Sequence, residues 1–184
     1  MQSIFAANGL AVFDVEELLT HGGSLRVFAQ RSDTGTHAVS PAVAALLDRE
    51  VAAGMTCASF YGGFQAKAER VKDDLLAFLL DAKRQGLKVG AYGAAAKGNT
   101  LLNFAGVRPD LLPYVVDKNP AKQGKYMPGS RIPIVAETHL RANRPDVVLV
   151  LPWNLKDEVM TQLAYIREWG GHFATAVPAW EVLA

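Results

Sequence analysis

Leu87-Lys88-Val89-Gly90-Ala91-Tyr92-Gly93-Ala94-Ala95-Ala96-Lys97-Gly98-Asn99-Thr100 decides the fold of this chain. Leu87 to Tyr92 is an apolar run short enough for a buried strand, and small residues then lead into a helical stretch from Gly98 to Phe104. A strand that turns through glycine and alanine into a helix is the opening unit of a nucleotide-binding α/β sheet. Small side chains let the backbone approach a phosphate, and the start of the helix offers unpaired N–H groups. Lys97 adds a positive charge. The alternative is a tight strand-to-helix turn with no ligand.

Working outward, the same alternation continues to the C-terminus. Leu112 to Val116, Ile132 to Val135, Val147 to Leu151 and His172 to Val177 read as further strands. A short helical stretch near Glu137 to Arg141 separates two of them. Leu155, Val159, Leu163 and Ile166 mark an amphipathic helix with Asn154 as its cap and Gly170-Gly171 at its end. Continuous apolar strands alternating with helices predict a Rossmann-like parallel sheet of five strands, order 3-2-1-4-5, with helices on both faces.

Upstream, Ser40 and Pro41 start a helix that passes through Leu46, Leu47 and Val51 and stops near Gly54. A longer helix carries Phe64, Ala68, Val71, Leu75, Phe78, Leu79 and Ala82 on one face, as core packing, until Gly86. Arg31 to His37 is a polar connector. Before it, Leu10 to Phe13 and Ser24 to Phe28 form a strand pair, too small to be stable alone and suited to leaning on a larger sheet.

Bulk properties narrow the function. The chain has 184 residues, half of them apolar, and a formal net charge of +1, so no global field draws it to nucleic acid or to an anionic membrane. The single cysteine, Cys57, leaves no disulfide framework and suits a reducing compartment. No apolar run reaches transmembrane length and no signal-peptide pattern opens the chain, which predicts a cytoplasmic protein. His21, His37, His139 and His172 show no metal-ligand spacing with Cys57, and no nucleophile is paired with a base.

Four segments converge where the strands end, which is where such sheets bind ligands. In the loop itself the glycines fall at 90, 93 and 98, a departure from Gly-x-Gly-x-x-Gly. Asn99 stands where a P-loop needs lysine, and no acidic residue ends the fourth strand to hold magnesium, so an NTPase is not expected. Gly93, Ala94, Ala95, Lys97, Gly98 and Asn99 remain as phosphate-site candidates. Asp117, about twenty residues beyond the glycine loop, is placed to take ribose hydroxyls or only to start a turn with Asn119 before Pro120. Lys122, Gln123, Lys125 and Tyr126 either contact a diphosphate or base or form a solvated loop. Trp153 could stack on a sugar or base, beside the capping Asn154. Separately, His21-Gly22-Gly23-Ser24 puts an imidazole and flexible backbone in one loop.

Taken in order, these segments resemble the C-terminal part of the S-adenosylmethionine-dependent sugar C-methyltransferases. The resemblance rests on Gly9-Leu10 to Glu16, Thr20-His21-Gly22-Gly23-Ser24-Leu25-Arg26-Val27 and Gly93 to Asn103. Val116-Asp117-Lys118-Asn119-Pro120-Ala121-Lys122-Gln123-Gly124, Pro128-Gly129, Pro133-Ile134 and Leu151-Pro152-Trp153-Asn154-Leu155 complete it. It implies that residues 1–37 are the last strands of a truncated methyltransferase domain plus a connector. Residues 38–184 would then be a Rossmann-like nucleotide-sugar-binding domain with leading helices.

The resemblance also implies a dTDP-sugar as ligand, its diphosphate on the loop from Gly93 to Asn99 with charge from Lys97 and Lys122, and Asp117 facing the ribose or base. A missing central domain would hold S-adenosylmethionine and pack on residues 10–28, with His21 contributing to the sugar pocket. The zinc cysteines, methyl-donor motif and Tyr/Glu/His cluster of that family have no counterpart here, so the chain alone is expected to be inactive and metal-free. Other expectations are a stand-alone NAD(P)- or nucleotide-binding module, and a non-catalytic subunit that packs on a separate methyltransferase.

Overall fold

The computed structural model describes residues 1–183, except the side chain of His21. The chain forms two compact units, one from Met1 to Phe64 and one from Gln65 onward.

In the first unit, α1 (Gln2–Ala7) precedes β1 (Leu10–Leu18) and β2 (Ser24–Arg31), joined by a 3-10 turn at Thr20–Gly22. The strands pair antiparallel from Leu10 opposite Arg31 to Leu18 opposite Ser24, with one irregularity between Val12 and Asp14. This is the expected strand pair, longer than its apolar runs because charged cross-strand neighbours such as Arg26 and Glu16 extend it. The helix α2 (Pro41–Ala52) starts as its residues demand, with Pro41 in the first turn and Ser40 Oγ accepting from Ala42 N–H at 3.2 Å. A single-turn helix α3 (Ala58–Tyr61) follows.

The second unit is the α/β sheet. After α4 (Phe64–Gln85) come β3 (Val89–Tyr92), α5 (Ala96–Phe104), β4 (Val115–Val116), β5 (Ile134–Val135) and α6 (Thr138–Asn143). Then follow β6 (Val147–Val150), α7 (Lys156–Gln162), β7 (His172–Thr175) and β8 (Glu181–Leu183). The strand order is β5-β4-β3-β6-β7-β8, and all neighbours are parallel except the last pair. The first five therefore stand in the expected 3-2-1-4-5 order. The added strand β8 runs antiparallel, Phe173 opposite Leu183, and its three residues carry no pattern that alternation could have detected.

Helices cover both faces because each strand alternates. Val89, Ala91 and Leu149 pack under α4 and α5, where Leu75, Leu79, Leu101 and Leu102 are buried. Tyr92, Val148, Val150 and Phe173 face the other way, against Leu140, Val159, Leu163 and Ile166. Each fully buried leucine of the α4 stripe contributes about 1.5–3 kcal/mol. Gly86 ends α4 in the left-handed region at φ 71°.

Two local expectations are corrected. The stretch after β6 is not one capped helix: a 3-10 turn at Trp153–Leu155 leads into α7, which has Leu155 at its N-cap and no side-chain cap hydrogen bond. Asn154 lies inside that turn, so it does not cap. A second 3-10 stretch, Ala164–Trp169, replaces the end of the expected helix and keeps Leu163 and Ile166 buried.

Tyr114 lies across β3. A Cβ on Gly90 would sit 2.6 Å from its ring and its hydroxyl, so glycine is required there by the packed tyrosine. Burial pushes the Tyr114 hydroxyl up from 10.0 to about 12. The folded state then keeps a proton that the unfolded chain releases above pH 10, so this contribution is intact below about pH 10 and lost as pH rises to about 12. The loss is on the order of 2–3 kcal/mol at most. Urea unfolding between pH 9 and 12 is expected to show a shallower decline for Tyr114→Phe than for the wild type. Equal slopes would mean that the hydroxyl is solvated.

Candidate functional site

The carboxyl ends of β3, β4 and β6 meet at the glycine loop. Gly93 sits at φ 90°, and a Cβ there would come 2.5 Å from Pro152 Cδ. At Gly98 a Cβ would come 2.6 Å from Leu151 Cβ. Both glycines are thus needed for the close approach of this loop to the end of β6. The loop then enters α5 at Ala95, its N-cap, which supplies no side-chain hydrogen bond. The N–H groups of Ala96, Lys97 and Gly98 have no partner within the helix, as in any first turn, whereas Asn99 N–H already bonds to Ala95 C=O at 2.9 Å.

A hydrogen-bonded net ties this loop to the one after β4. Gly93 N–H donates to Val116 C=O at 2.7 Å, and Ala94 N–H donates to Asp117 Oδ2 at 2.8 Å. Asn119 N–H donates to Asp117 Oδ1 at 2.8 Å. Lys122 Nζ reaches both Asp117 Oδ2 and Ala94 C=O, each at 2.9 Å. Gln123 Nε2 donates to Asp117 C=O at 2.9 Å, and Asn119 Oδ1 accepts from Ala121 N–H. Asp117 is only 8% exposed.

In front of this net lies a cavity of about 510 Å³, bounded by Ala94, Ala95, Ala96 and Asn99 on one side and Lys122, Lys125 and Tyr126 on the other. Tyr126 is 66% exposed at its rim. The far wall is a turn held by Met127 N–H to Ile132 C=O at 2.8 Å and by Asn103 Nδ2 to Pro128 C=O at 2.9 Å. The cavity lies where an uncapped helix start and two lysines can meet an anion, a fit to phosphate chemistry.

The candidates separate into four groups. Ala94, Ala95, Asn99, Lys122 and Tyr126 line this cavity. Asp117, Asn119 and Gln123 form the net behind it. Lys97 turns to Trp153, its Nζ 5.1 Å from the ring centroid, a cation–π contact outside the lining. His21, Gly22, Gly23 and Ser24 belong to the first unit, around the 3-10 turn at Thr20–Gly22 and Gly23 at φ 117°. Ser24 Oγ donates to Thr20 C=O there, and the side chain of His21 lies outside the described residues.

Ala96 and Thr100, which belong to the loop quoted from the sequence without being singled out as site residues, also line the cavity. Their signal was the i, i+4 spacing, which puts them on one face of the first turns of α5.

Two further features lie away from this loop. A cavity of about 570 Å³ opens at the amino ends of the strands, walled by Leu79, Pro109, Pro113, Tyr114 and Pro133. It is the larger of the two, but it lies away from the strand ends where such sheets bind ligands. On the second face, Gln162 Nε2 donates to Tyr92 Oη at 2.7 Å and to Glu137 Oε2 at 3.0 Å, and Tyr165 Oη donates to Glu137 Oε1 at 3.1 Å. Burial, then the Glu137 charge, raise the Tyr165 hydroxyl, which stays protonated as a donor that fastens α6 to the layer beside it. Among the described residues no group of three or more His, Cys, Asp or Glu lies close enough to hold a metal, and no helix is long and apolar enough to cross a membrane.

Comparison with known proteins shows the family of the chain. Residues 19–178 match the model of the C-methyltransferase C-terminal domain. The chain is 34% identical over 182 residues to the C-methyltransferase NovU of Streptomyces niveus, a match covering 99% of this chain and 43% of that protein. It therefore spans less than half the length of the relative it resembles.

Proposed function

Because this chain belongs to the family of C-methyltransferase C-terminal domains, we propose that it is the nucleotide-sugar-binding part of a C-methyltransferase. In this reading the cavity beside α5 takes the diphosphate and nucleoside of a dTDP-sugar in the cytoplasm. The methyl donor, S-adenosylmethionine, is held elsewhere in the enzyme, on a domain that packs on residues 10–28, and supplies the methyl group for a sugar carbon.

One observation carries the reading: the first turn of α5, uncapped by any side chain, opens into a cavity of about 510 Å³ flanked by Lys122 and Lys125. Unpaired N–H groups and the positive end of the helix favour a phosphate, and the volume suits a small-molecule ligand. Tyr126 offers an exposed ring to a base, and Lys97, held over Trp153, adds charge at the same end of the sheet.

Calorimetric titration with dTDP, a dTDP-sugar, NAD and S-adenosylmethionine tests it. Binding of the first two without the last is expected, and tight NAD binding without dTDP binding would replace this reading with that of a dinucleotide module. Lys125→Ala is expected to weaken dTDP binding by roughly 1–3 kcal/mol, the scale for losing a charged partner. Its affinity should also depend less steeply on salt than that of the wild type. Unchanged affinity would remove Lys125 from the site.

A further inference from the structure

We infer that Asp117 acts as the positioning residue of the glycine loop and not as a ligand to the ribose. The inference rests on the reading of the adjacent cavity as a diphosphate site. The carboxylate accepts from Ala94 N–H and Lys122 Nζ through Oδ2 and from Asn119 N–H through Oδ1, at 2.8–2.9 Å. Three of roughly four acceptor positions of a carboxylate are therefore filled from within the chain. The residue is 8% exposed, set behind the loop.

The geometry is a clamp on one residue. Asp117 holds the N–H of Ala94 while Lys122, itself held by Asp117, takes the C=O of Ala94 at 2.9 Å. With both backbone groups of Ala94 fixed, the direction of Ala95 and of the free N–H groups that follow is fixed too. Charge alone argues the opposite way. A carboxylate beside an anion site opposes the anion, so a purely electrostatic role predicts that its removal strengthens diphosphate binding. The clamp predicts that removal weakens it. Asparagine makes the distinction, because its NH2 replaces one acceptor oxygen with a donor. It cannot serve Ala94, Asn119 and Lys122 together.

The test compares wild type with Asp117→Asn by calorimetry against two probes, inorganic pyrophosphate and dTDP, with thermal melting to confirm that both proteins are folded. The expected result is a loss of about tenfold for both probes alike, the scale of one charge-assisted hydrogen bond. Weakened dTDP binding with unchanged pyrophosphate binding would assign Asp117 to the ribose and overturn the inference. Equal or tighter binding of both probes would overturn it as well. If the wild type binds neither probe, the diphosphate reading itself fails. The clamp is then read without ligand, from amide hydrogen exchange: faster exchange at Ala94 and Asn119 in Asp117→Asn supports it, and unchanged exchange overturns it.

Discussion

Gly93→Ala is expected to destabilise the sheet unit on two separate grounds. At φ 90° an alanine pays roughly 1–3 kcal/mol of backbone strain. Its Cβ would also lie 2.5 Å from Pro152 Cδ and 2.8 Å from Pro152 Cγ, an overlap worth about 1–3 kcal/mol more. Urea unfolding followed by tryptophan fluorescence measures this cleanly, since Trp153, Trp169 and Trp180 all lie in the second unit. The double variant Gly93→Ala/Pro152→Ala separates the grounds: it should recover the packing part and leave the backbone part. A Gly93→Ala protein as stable as the wild type would mean that the loop is free to move away from β6. The glycine would then be available for close approach of a ligand alone.

Phe173→Ala should cost about 3–5 kcal/mol, the usual range for emptying a buried aromatic site. Phe173 is fully buried in β7 and belongs to the cluster with Val148, Val150, Leu163 and Ile166. It is held on both sides, by β6 through Val148 and by β8 through Leu183, so the surroundings have little room to collapse into the space. The Arg167 guanidinium, 5.2 Å from its ring, loses its aromatic partner as well. The same fluorescence-detected unfolding reads the loss. Because β7 is separated from β3 by β6, dTDP affinity at low temperature is expected to stay near the wild-type value. A loss of stability below about 1 kcal/mol would show that the second face of the sheet is loosely packed.

Much of the fold was legible because it depends on local rules. Val89 to Tyr92 and Val147 to Val150 are continuous apolar runs buried on both faces, and right-handed crossovers then leave one strand order for them. Ser40-Pro41 and Gly86 marked helix ends through side-chain and backbone chemistry that acts within a few residues. The strands β4 and β5 are shorter than their apolar runs. Leu112 to Tyr114 and Ile132-Pro133 are apolar, yet only Val115–Val116 and Ile134–Val135 are strand: Leu112 and Ile132 pack into the core as loop, while Tyr114 and Pro133 each lend a carbonyl to a neighbouring strand. Asn154 does not cap because capping needs a helix that starts beside it, and a 3-10 turn stands there instead.

Of the site, residue types and their neighbourhood followed from the sequence alone: a glycine-rich turn, an acidic residue after the next strand and a lysine-bearing loop meet at one end of a parallel sheet. Membership in the C-methyltransferase C-terminal domain family agrees with those motifs. What each residue does there was decided only by tertiary contacts. Gly93 and Gly98 answer to Pro152 and Leu151, more than fifty residues away in the chain, and Asp117 answers to Ala94 and Lys122. Periodicity reports which face of an element is buried. It carries no record of which distant atom will press on that face, because that contact exists only once the crossovers have brought the strand ends together.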